Sequence, residues 1–144
     1  MRFANTISIR ANTTAVFDYL AQFENVPRWN YAIAETHKTS AGPVGIGTTY
    51  RQRRTLPRPA EEAFAVIEFE RPVRLAIKGE LGPFSGVLRY TLEPDGSETI
   101  LTNEAELAGR GLASLLGPVA GGRVRDSVAA NLAELKAILE GANA

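Results

Sequence analysis

The chain has 144 residues, of which 44% are hydrophobic and 22% are charged, and its 16 basic side chains balance its 16 acidic ones. This length predicts a single domain over residues 1–144, and the balanced charge argues against a general nucleic-acid binder. Because the chain has no cysteine, disulfides, thiol nucleophiles and thiolate metal sites are excluded. The first residues, MRFANTISIRA, lack the features of a signal peptide, so we expect a cytoplasmic protein.

The first part of the chain predicts a strand followed by two short helices. Residues 3–10 alternate between apolar and polar side chains, which is typical of a strand. Asn12 or Thr13 can cap the helix that follows, because a side-chain oxygen there accepts from an otherwise unpaired backbone N–H. Pro27 either ends this helix or begins a second one that ends near Tyr31.

The middle of the chain predicts six strands separated by short turns. The turns are marked by glycine and proline and by the Asp95-Gly96 pair, which is typical of a hairpin. Strands joined by such short turns must run antiparallel, so the sheet has seven strands with the first one included. The six strands are expected at residues 32–39, 47–56, 61–70, 73–81, 84–93 and 98–108.

The last part of the chain predicts one long amphipathic helix from about 118 to 140. Its apolar residues recur every three or four positions, and these are Val124, Val128, Leu132, Leu135 and Leu139. Polar residues such as Asn131 are expected elsewhere around the helix axis. Gly117-Pro118 and Gly121-Gly122 are expected to break or kink the first turns, since proline and glycine both disfavour a helix.

This order of elements predicts an α+β fold, because a curved antiparallel sheet of seven strands can bury one face around a single helix. The stretches SIRANTTAVFDYLAQFENVPRWN, GPVGIGTTYRQ and LGPFSGVLRYTLEPDGSETILTNEAEL follow one another in an order that resembles the helix-grip fold. That fold belongs to the START and Bet v 1-like (SRPBCC) superfamily, and the chain is similar to its bacterial polyketide cyclase/dehydrase and lipid-transport branch. The resemblance covers nearly the whole chain.

The resemblance implies a cavity between the concave sheet and the last helix. Relatives use this cavity to bind a hydrophobic small molecule, to carry a lipid or to fold a polyketide for aldol cyclisation. No residue motif defines catalysis across the superfamily. The resemblance therefore implies where a ligand binds but not which reaction follows.

The stretch YRQRRTL, residues 50–56, contains candidates for the lining of this cavity. A strand places alternate side chains on opposite faces, so Tyr50, Gln52 and Arg54 are expected inside while Arg51 and Arg53 face water. Gln52 and Arg54 could bind a carboxylate or carbonyl group of a ligand. Alternatively, Arg54 lies at the end of its strand and points into water.

Other candidate ligand-binding residues come from three further elements. Tyr90 and Asn103 lie on apolar rows of their strands, and a buried amide such as that of Asn103 must find a partner. Trp29 could lie at the entrance of the cavity or simply pack in the core. Val128 and Leu132 are expected on the inner face of the last helix.

Glu35 and His37 are the candidate catalytic residues. His37 is the only histidine, and its charge can change near neutral pH. Paired inside the cavity, the two side chains would form a general acid–base couple. The pattern of their strand does not fix which of its faces points inward, and the alternative is that both are exposed.

The remaining patterns exclude cofactor sites and leave two functions open. GPVGIG lacks the spacing and setting of a dinucleotide loop, and a single histidine without cysteine offers no transition-metal site, so we expect no metal or cofactor. The expected partner is a hydrophobic small molecule, without nucleic acid or a membrane span, and a homodimer is left open. The two functions are binding or carriage of that molecule and a polyketide cyclase/dehydratase reaction in the same cavity.

Overall fold

A computed structural model describes residues 1–111 and 118–141, with the side chains of the last helix described from residue 121. The strands are β1 (Arg2–Ile9), β2 (Ile33–Lys38), β3 (Thr49–Arg54), β4 (Ala60–Glu70), β5 (Arg74–Leu81), β6 (Phe84–Asp95) and β7 (Glu98–Gly109). The helices are α1 (Thr13–Ala21), a single 3₁₀ turn (Phe23–Asn25), α2 (Val26–Trp29) and α3 (Pro118–Gly141). The predicted seven strands, the short helices after β1 and the long last helix are thus confirmed.

The strands form one sheet in the order β1-β7-β6-β5-β4-β3-β2, and every neighbouring pair is antiparallel. Strands that follow one another between β2 and β7 are therefore neighbours, as the short turns predict. The chain places β1 beside β7, which makes β1 and β2 the two edges. Along β7 exposure alternates residue by residue, because one face of the sheet packs on the core and the other meets water.

The two short helices begin where their sequence predicts. Asn12 caps α1, and its Oδ1 accepts a hydrogen bond from the backbone N–H of Ala15 at 2.9 Å. Pro27 lies in the first turn of α2, where its missing N–H costs no helical hydrogen bond. Both observations confirm the predicted starts of these helices, and α2 ends at Trp29, two residues before the predicted end near Tyr31.

Two facing glycines allow neighbouring strands to approach closely in the middle of the sheet. Gly79 of β5 and Gly86 of β6 are cross-strand partners. A Cβ atom on Gly86 would lie 1.9 Å from the carbonyl oxygen of Glu106, and one on Gly79 would lie 2.3 Å from that of Ala63. Only glycine fits such a contact with neighbouring backbone.

Helix α3 lies along the edge strand β1 and runs in the same direction. Near its start, the Asn5 Nδ2 donates to the carbonyl oxygen of Arg125 at 3.2 Å. Near its end, the Lys136 Nζ donates to the carbonyl oxygen of Ser8 at 2.6 Å. These contacts at both ends hold the inner side of α3 against the buried face of the sheet.

The predicted break near the start of α3 is wrong at Gly121 and Gly122, which lie within the continuous helix Pro118–Gly141. Pro118 occupies the first helical position, where proline is tolerated. A glycine costs about 1 kcal/mol relative to alanine in a helix, and the packing of the apolar residues that follow outweighs this cost. Gly117 lies outside the described residues.

The described residues form two apolar core clusters on the inner face of the sheet. The main cluster fills the space between the sheet and the helices, and its largest members include Ile9, Phe17, Leu20, Trp29, Tyr50, Leu75, Leu92, Leu101, Leu132 and Leu135. The minor cluster consists of Phe84, Ala105 and Leu107, against which Phe3, Leu81, Leu88 and Val124 pack. Leu88 contacts both clusters, so it marks the boundary between them.

An ion-paired carboxylate ties the end of α3 to the end of β1. The Glu140 carboxylate accepts from the Lys136 Nζ at 2.5 Å and from the Arg10 backbone N–H at 2.9 Å. These hydrogen bonds, that from Lys136 first, lower the pKa of Glu140 from 4.5 to about 2. Because the folded-state pKa is depressed, the stabilisation is present above pH 4.5 and is lost as the pH falls toward 2.

We predict that Glu140→Gln lowers the free energy of unfolding at neutral pH, since the uncharged amide pairs more weakly with Lys136. The difference in the free energy of unfolding between variant and wild type should disappear as the pH falls from 4.5 to about 2, because the wild-type carboxylate becomes protonated there. Urea unfolding at a series of pH values measures this difference. Glu134→Gln, on the exposed side of α3, is the control, and a difference that does not depend on pH would contradict the prediction.

Candidate functional site

Strand β3 presents its side chains to the two faces as its sequence predicts. Tyr50 is fully buried and Gln52 is 4% exposed, whereas Arg51 and Arg53 are exposed. The aromatic ring of Tyr50 stacks on that of Phe64, with ring centroids 5.1 Å apart. The inner face of the sheet therefore receives one aromatic and one amide side chain from this strand.

Arg54 binds a carboxylate of its own chain. Its Nε donates to the Glu62 Oε2 at 2.6 Å and its Nη1 donates to the carbonyl oxygen of Leu56 at 3.3 Å. The side chain is only 13% exposed, so it does not extend into water as one alternative held. The carboxylate that pairs with this guanidinium thus belongs to Glu62 of β4.

Glu62 is a buried residue that the sequence-based candidates did not include. Its side chain is 1% exposed, and it accepts from the Gln52 Nε2 at 2.8 Å, from Arg54, and from the backbone N–H of Gly82 at 2.5 Å. Gln52 in turn accepts from the Thr36 Oγ1 at 3.5 Å. We call Thr36, Gln52, Arg54 and Glu62 the polar cluster, and it joins β2, β3 and β4 to the turn after β5.

The signal that could have revealed Glu62 is its position in the stretch AEEAFAV. Glu62 shares the parity of Phe64 and Val66, which are 4% and 1% exposed, so the alternation of β4 places it inside. A buried carboxylate needs a positive partner and further donors. Arg54 on the neighbouring strand, with Gln52 and Gly82, supplies them.

We predict that Glu62→Ala destabilises the protein by about 3 kcal/mol, because it leaves the partly buried charge of Arg54 without its partner. The matched control is Glu61→Ala, since Glu61 is exposed on the same strand and should change stability by less than about 0.5 kcal/mol. Denaturant unfolding measures both values. Equal effects of the two substitutions would mean that the cluster contributes nothing specific.

A second group of polar side chains forms a row across three neighbouring strands. Asn5 of β1 lies opposite Asn103 of β7, and Asn103 lies opposite Tyr90 of β6. Asn103 is fully buried, and neither its Nδ2 nor its Oδ1 has a hydrogen-bond partner among the described residues. Tyr90 is 6% exposed. The predicted inward positions of Tyr90 and Asn103 are thus confirmed, and we call Asn5, Asn103 and Tyr90 the polar row.

The buried tyrosines keep their phenol groups protonated. Burial raises the pKa of Tyr90 above its ordinary value of 10.0. It also raises the pKa of Tyr50 to about 12, with a smaller contribution from the charge of Glu24. Loss of the proton would place a charge in an apolar environment. Both side chains are therefore neutral.

The three helices and strand β3 contribute further buried polar atoms without partners among the described residues. Within residues 1–111 and 118–141, the buried atoms Tyr19 Oη, Trp29 Nε1, Tyr50 Oη and Asn131 Oδ1 have no hydrogen-bond partner. Asn131 was expected elsewhere around the axis of α3, and this expectation is wrong because its residue is only 8% exposed. The buried stripe of α3 is wide enough to include it next to Leu132.

The candidates with apolar side chains lie in the main cluster or against it. Trp29 is 8% exposed and Leu132 is 1% exposed, and both belong to the main cluster. Val128 is half-buried and packs against this cluster. A ligand-binding role for these residues stays a prediction, while their inward positions on α2 and α3 follow from the packing.

Glu35 and His37 lie on the exposed face of β2. A bulge between Ile33 and Glu35 shifts the pairing with β3, so that Ile33 and Thr36 point inward while Glu35 and His37 are exposed. Glu35 is 3.9 Å from the Arg53 guanidinium. The catalytic role of this pair stays a prediction, since the structure brings neither residue to the polar row or the polar cluster.

The comparison with known proteins identifies the family of the chain. Residues 1–140 match the family described as polyketide cyclase / dehydrase and lipid transport, so the chain belongs to this family. The predicted polyketide cyclase/dehydrase and lipid-transport branch is thereby confirmed. A search of the curated proteins finds no match.

Solved structures share the fold at low sequence identity. A START superfamily protein from Mycobacterium smegmatis has a TM-score of 0.84 and 15% identity, with 97% of each chain covered. A protein from Thermus thermophilus has a TM-score of 0.82 and 13% identity, with 100% of each chain covered. StfQ, a di-domain ARO/CYC from the steffimycin biosynthetic pathway, has a TM-score of 0.78 and 12% identity, with 99% of this chain and 51% of StfQ covered.

In the part of the chain that the structure describes, no helix is both long enough and apolar enough to cross a bilayer.

Proposed function

We propose that this protein binds a hydrophobic small molecule between the inner face of the sheet and α3. The binding surface would combine apolar walls from both clusters with the polar row and with Trp29 and Tyr50. Family membership supports this kind of ligand. Because the chain has no cysteine, as suits a reducing compartment, we further propose that the protein acts in the cytoplasm.

The observation that carries the proposal is the unpaired amide of Asn103 in an apolar interior. Asn103 is fully buried, and the side chains before and after it on the same face of β7, Leu101 and Ala105, belong to the two clusters. Buried polar groups are almost always hydrogen-bonded, and one that is not destabilises the fold. Binding of a largely apolar molecule with a polar group would offset this cost.

The outer face argues against nucleic acid as the partner. Several of its arginines lie close to carboxylates, as between Arg2 and Glu106 at 2.6 Å and between Arg89 and Glu68 at 2.6 Å. A surface that grips phosphates needs basic side chains without such compensation.

We predict that Val128→Arg weakens the binding of a neutral apolar dye, such as N-phenylnaphthylamine, by at least about tenfold. Val128 lies on the inner side of α3, and a guanidinium there would bring a charge and its water into the apolar walls. Fluorescence titration measures the affinity. Val128 is chosen because it is half-buried, so that a larger, charged side chain disturbs the fold less there than at the fully buried Leu132.

The control for this prediction is Ala129→Arg, which adds the same charge at the neighbouring exposed position of α3. Circular dichroism should show the same helical content for both variants. Undiminished dye binding by a folded Val128→Arg protein would contradict binding at this face of α3.

The second candidate function is a polyketide cyclase/dehydratase reaction, and the pairing of Tyr90 with Asn103 favours it. A neutral phenol and an amide N–H side by side could donate to a carbonyl oxygen and stabilise the enolate that forms during an aldol reaction. Family membership is compatible with such a reaction. Faster cyclisation of a poly-β-ketone analogue with the wild-type protein than in buffer alone would favour the enzyme over the carrier.

A further inference from the structure

We propose that the ligand of this protein is an uncharged molecule that carries a hydroxyl or lactam group between two apolar arms. This inference rests on the proposed binding function and names the class of molecule that is bound. It follows from the chemistry of Asn103, from the position of the polar row between two apolar clusters, and from the charges of the inner face.

The Asn103 amide requires a group that both donates and accepts. Its Nδ2 and its Oδ1 are both buried without partners in the described part of the chain. A ketone or an ester could accept from the Nδ2 but would leave the Oδ1 unpaired. A hydroxyl or a lactam offers a donor and an acceptor on the same side, so it satisfies both atoms of the amide at once.

The two apolar arms follow from the position of the polar row. On β7, Asn103 lies between Leu101 of the main cluster and Ala105 of the minor cluster. On β6, Tyr90 lies between Leu92 and Leu88, and Leu88 contacts both clusters. A molecule that places its polar group at the row therefore meets apolar side chains in both directions along the strands.

The inner face disfavours a charged ligand. Glu62 is the one charged residue that is buried among those described, and its partner is Arg54. A ligand carboxylate at Arg54 would lie beside the carboxylate of Glu62, and the two like charges would repel each other in the interior. A cationic ligand would equally compete for a carboxylate that is already bound by three donors.

The ligand must move side chains to reach Asn103, because this residue is fully covered. Leu88 and Val128 are only half-buried on the inner side, and we expect them to move. Trp29, the only tryptophan, lies in the same main cluster as Leu92 and Leu101. Its fluorescence provides a signal for binding without an attached label.

Four probes of the same shape test the inference: dihexylmethanol, dihexyl ketone, dihexylmethane and dihexylammonium. In titrations of protein stripped of retained molecules, we expect dihexylmethanol to bind about tenfold more tightly than dihexyl ketone, as one hydrogen bond predicts. Dihexylammonium should bind more weakly than either. In Asn103→Leu, the preference for the alcohol over the ketone should disappear.

The matched control is Thr99→Val on the same face of β7. Thr99 is also fully buried, but its Oγ1 already donates to the carbonyl oxygen of Ala11 at 2.8 Å, so this variant should keep the tenfold preference. Equal affinities of the wild type for alcohol and ketone, or an unchanged preference in Asn103→Leu, would overturn the inference alone. Failure of the wild type to bind any of the four probes would overturn the proposed function as well.

Discussion

The burial of a single face of one sheet is the constraint on which the rest of the molecule depends. Successive side chains of a strand point to opposite faces, and a register shift of one residue would exchange the two sets. Antiparallel pairing aligns Asn5, Asn103 and Tyr90 across three strands. The pairing therefore determines which polar groups meet inside the protein, just as it determines which apolar groups form the core.

The interior contains two kinds of polar side chain, those with hydrogen-bond partners and those without recorded ones. Glu62 accepts three hydrogen bonds and is paired with Arg54, so the polar cluster joins three strands and a turn. Asn103 has no partner for either atom of its amide among the described residues, and an unpaired buried amide reduces the stability of the fold. The hydrogen bonds of Glu62 explain its burial without a ligand. A buried polar group without partners, such as Asn103, is common where a ligand binds.

Strict alternation made much of this arrangement predictable from the sequence. The inward positions of Tyr90 and Asn103 followed from the apolar residues that share their faces. Those of Tyr50 and Gln52 followed from alternation, with the large side chain of Tyr50 placed inside. The same alternation places Glu62 inside, because it shares a face of β4 with Phe64 and Val66. The arginine run on β3 indicated Arg54 as a candidate but did not indicate its partner. The chemistry of the partner could have been predicted from the same alternation.

The residues that the sequence could not place lie where the alternation or the helical period is broken. The bulge after Ile33 arises from the pairing of β2 with β3. The sequence around His37 therefore does not predict which face of β2 carries His37. Asn131 lies at the margin of the buried stripe of α3, where helical period alone does not separate inside from outside. The continuity of α3 through Gly121 and Gly122 reflects tertiary packing, which overrides local propensity.

The stability of the ligand-free Asn103→Leu protein tests the central claim most directly. If the buried amide is unpaired, an apolar side chain of similar size should raise the free energy of unfolding by about 1–3 kcal/mol, whereas Thr99→Val should lower it. A loss of stability in Asn103→Leu comparable to that in Thr99→Val would contradict the account, because it would mean that Asn103 is already satisfied within the fold.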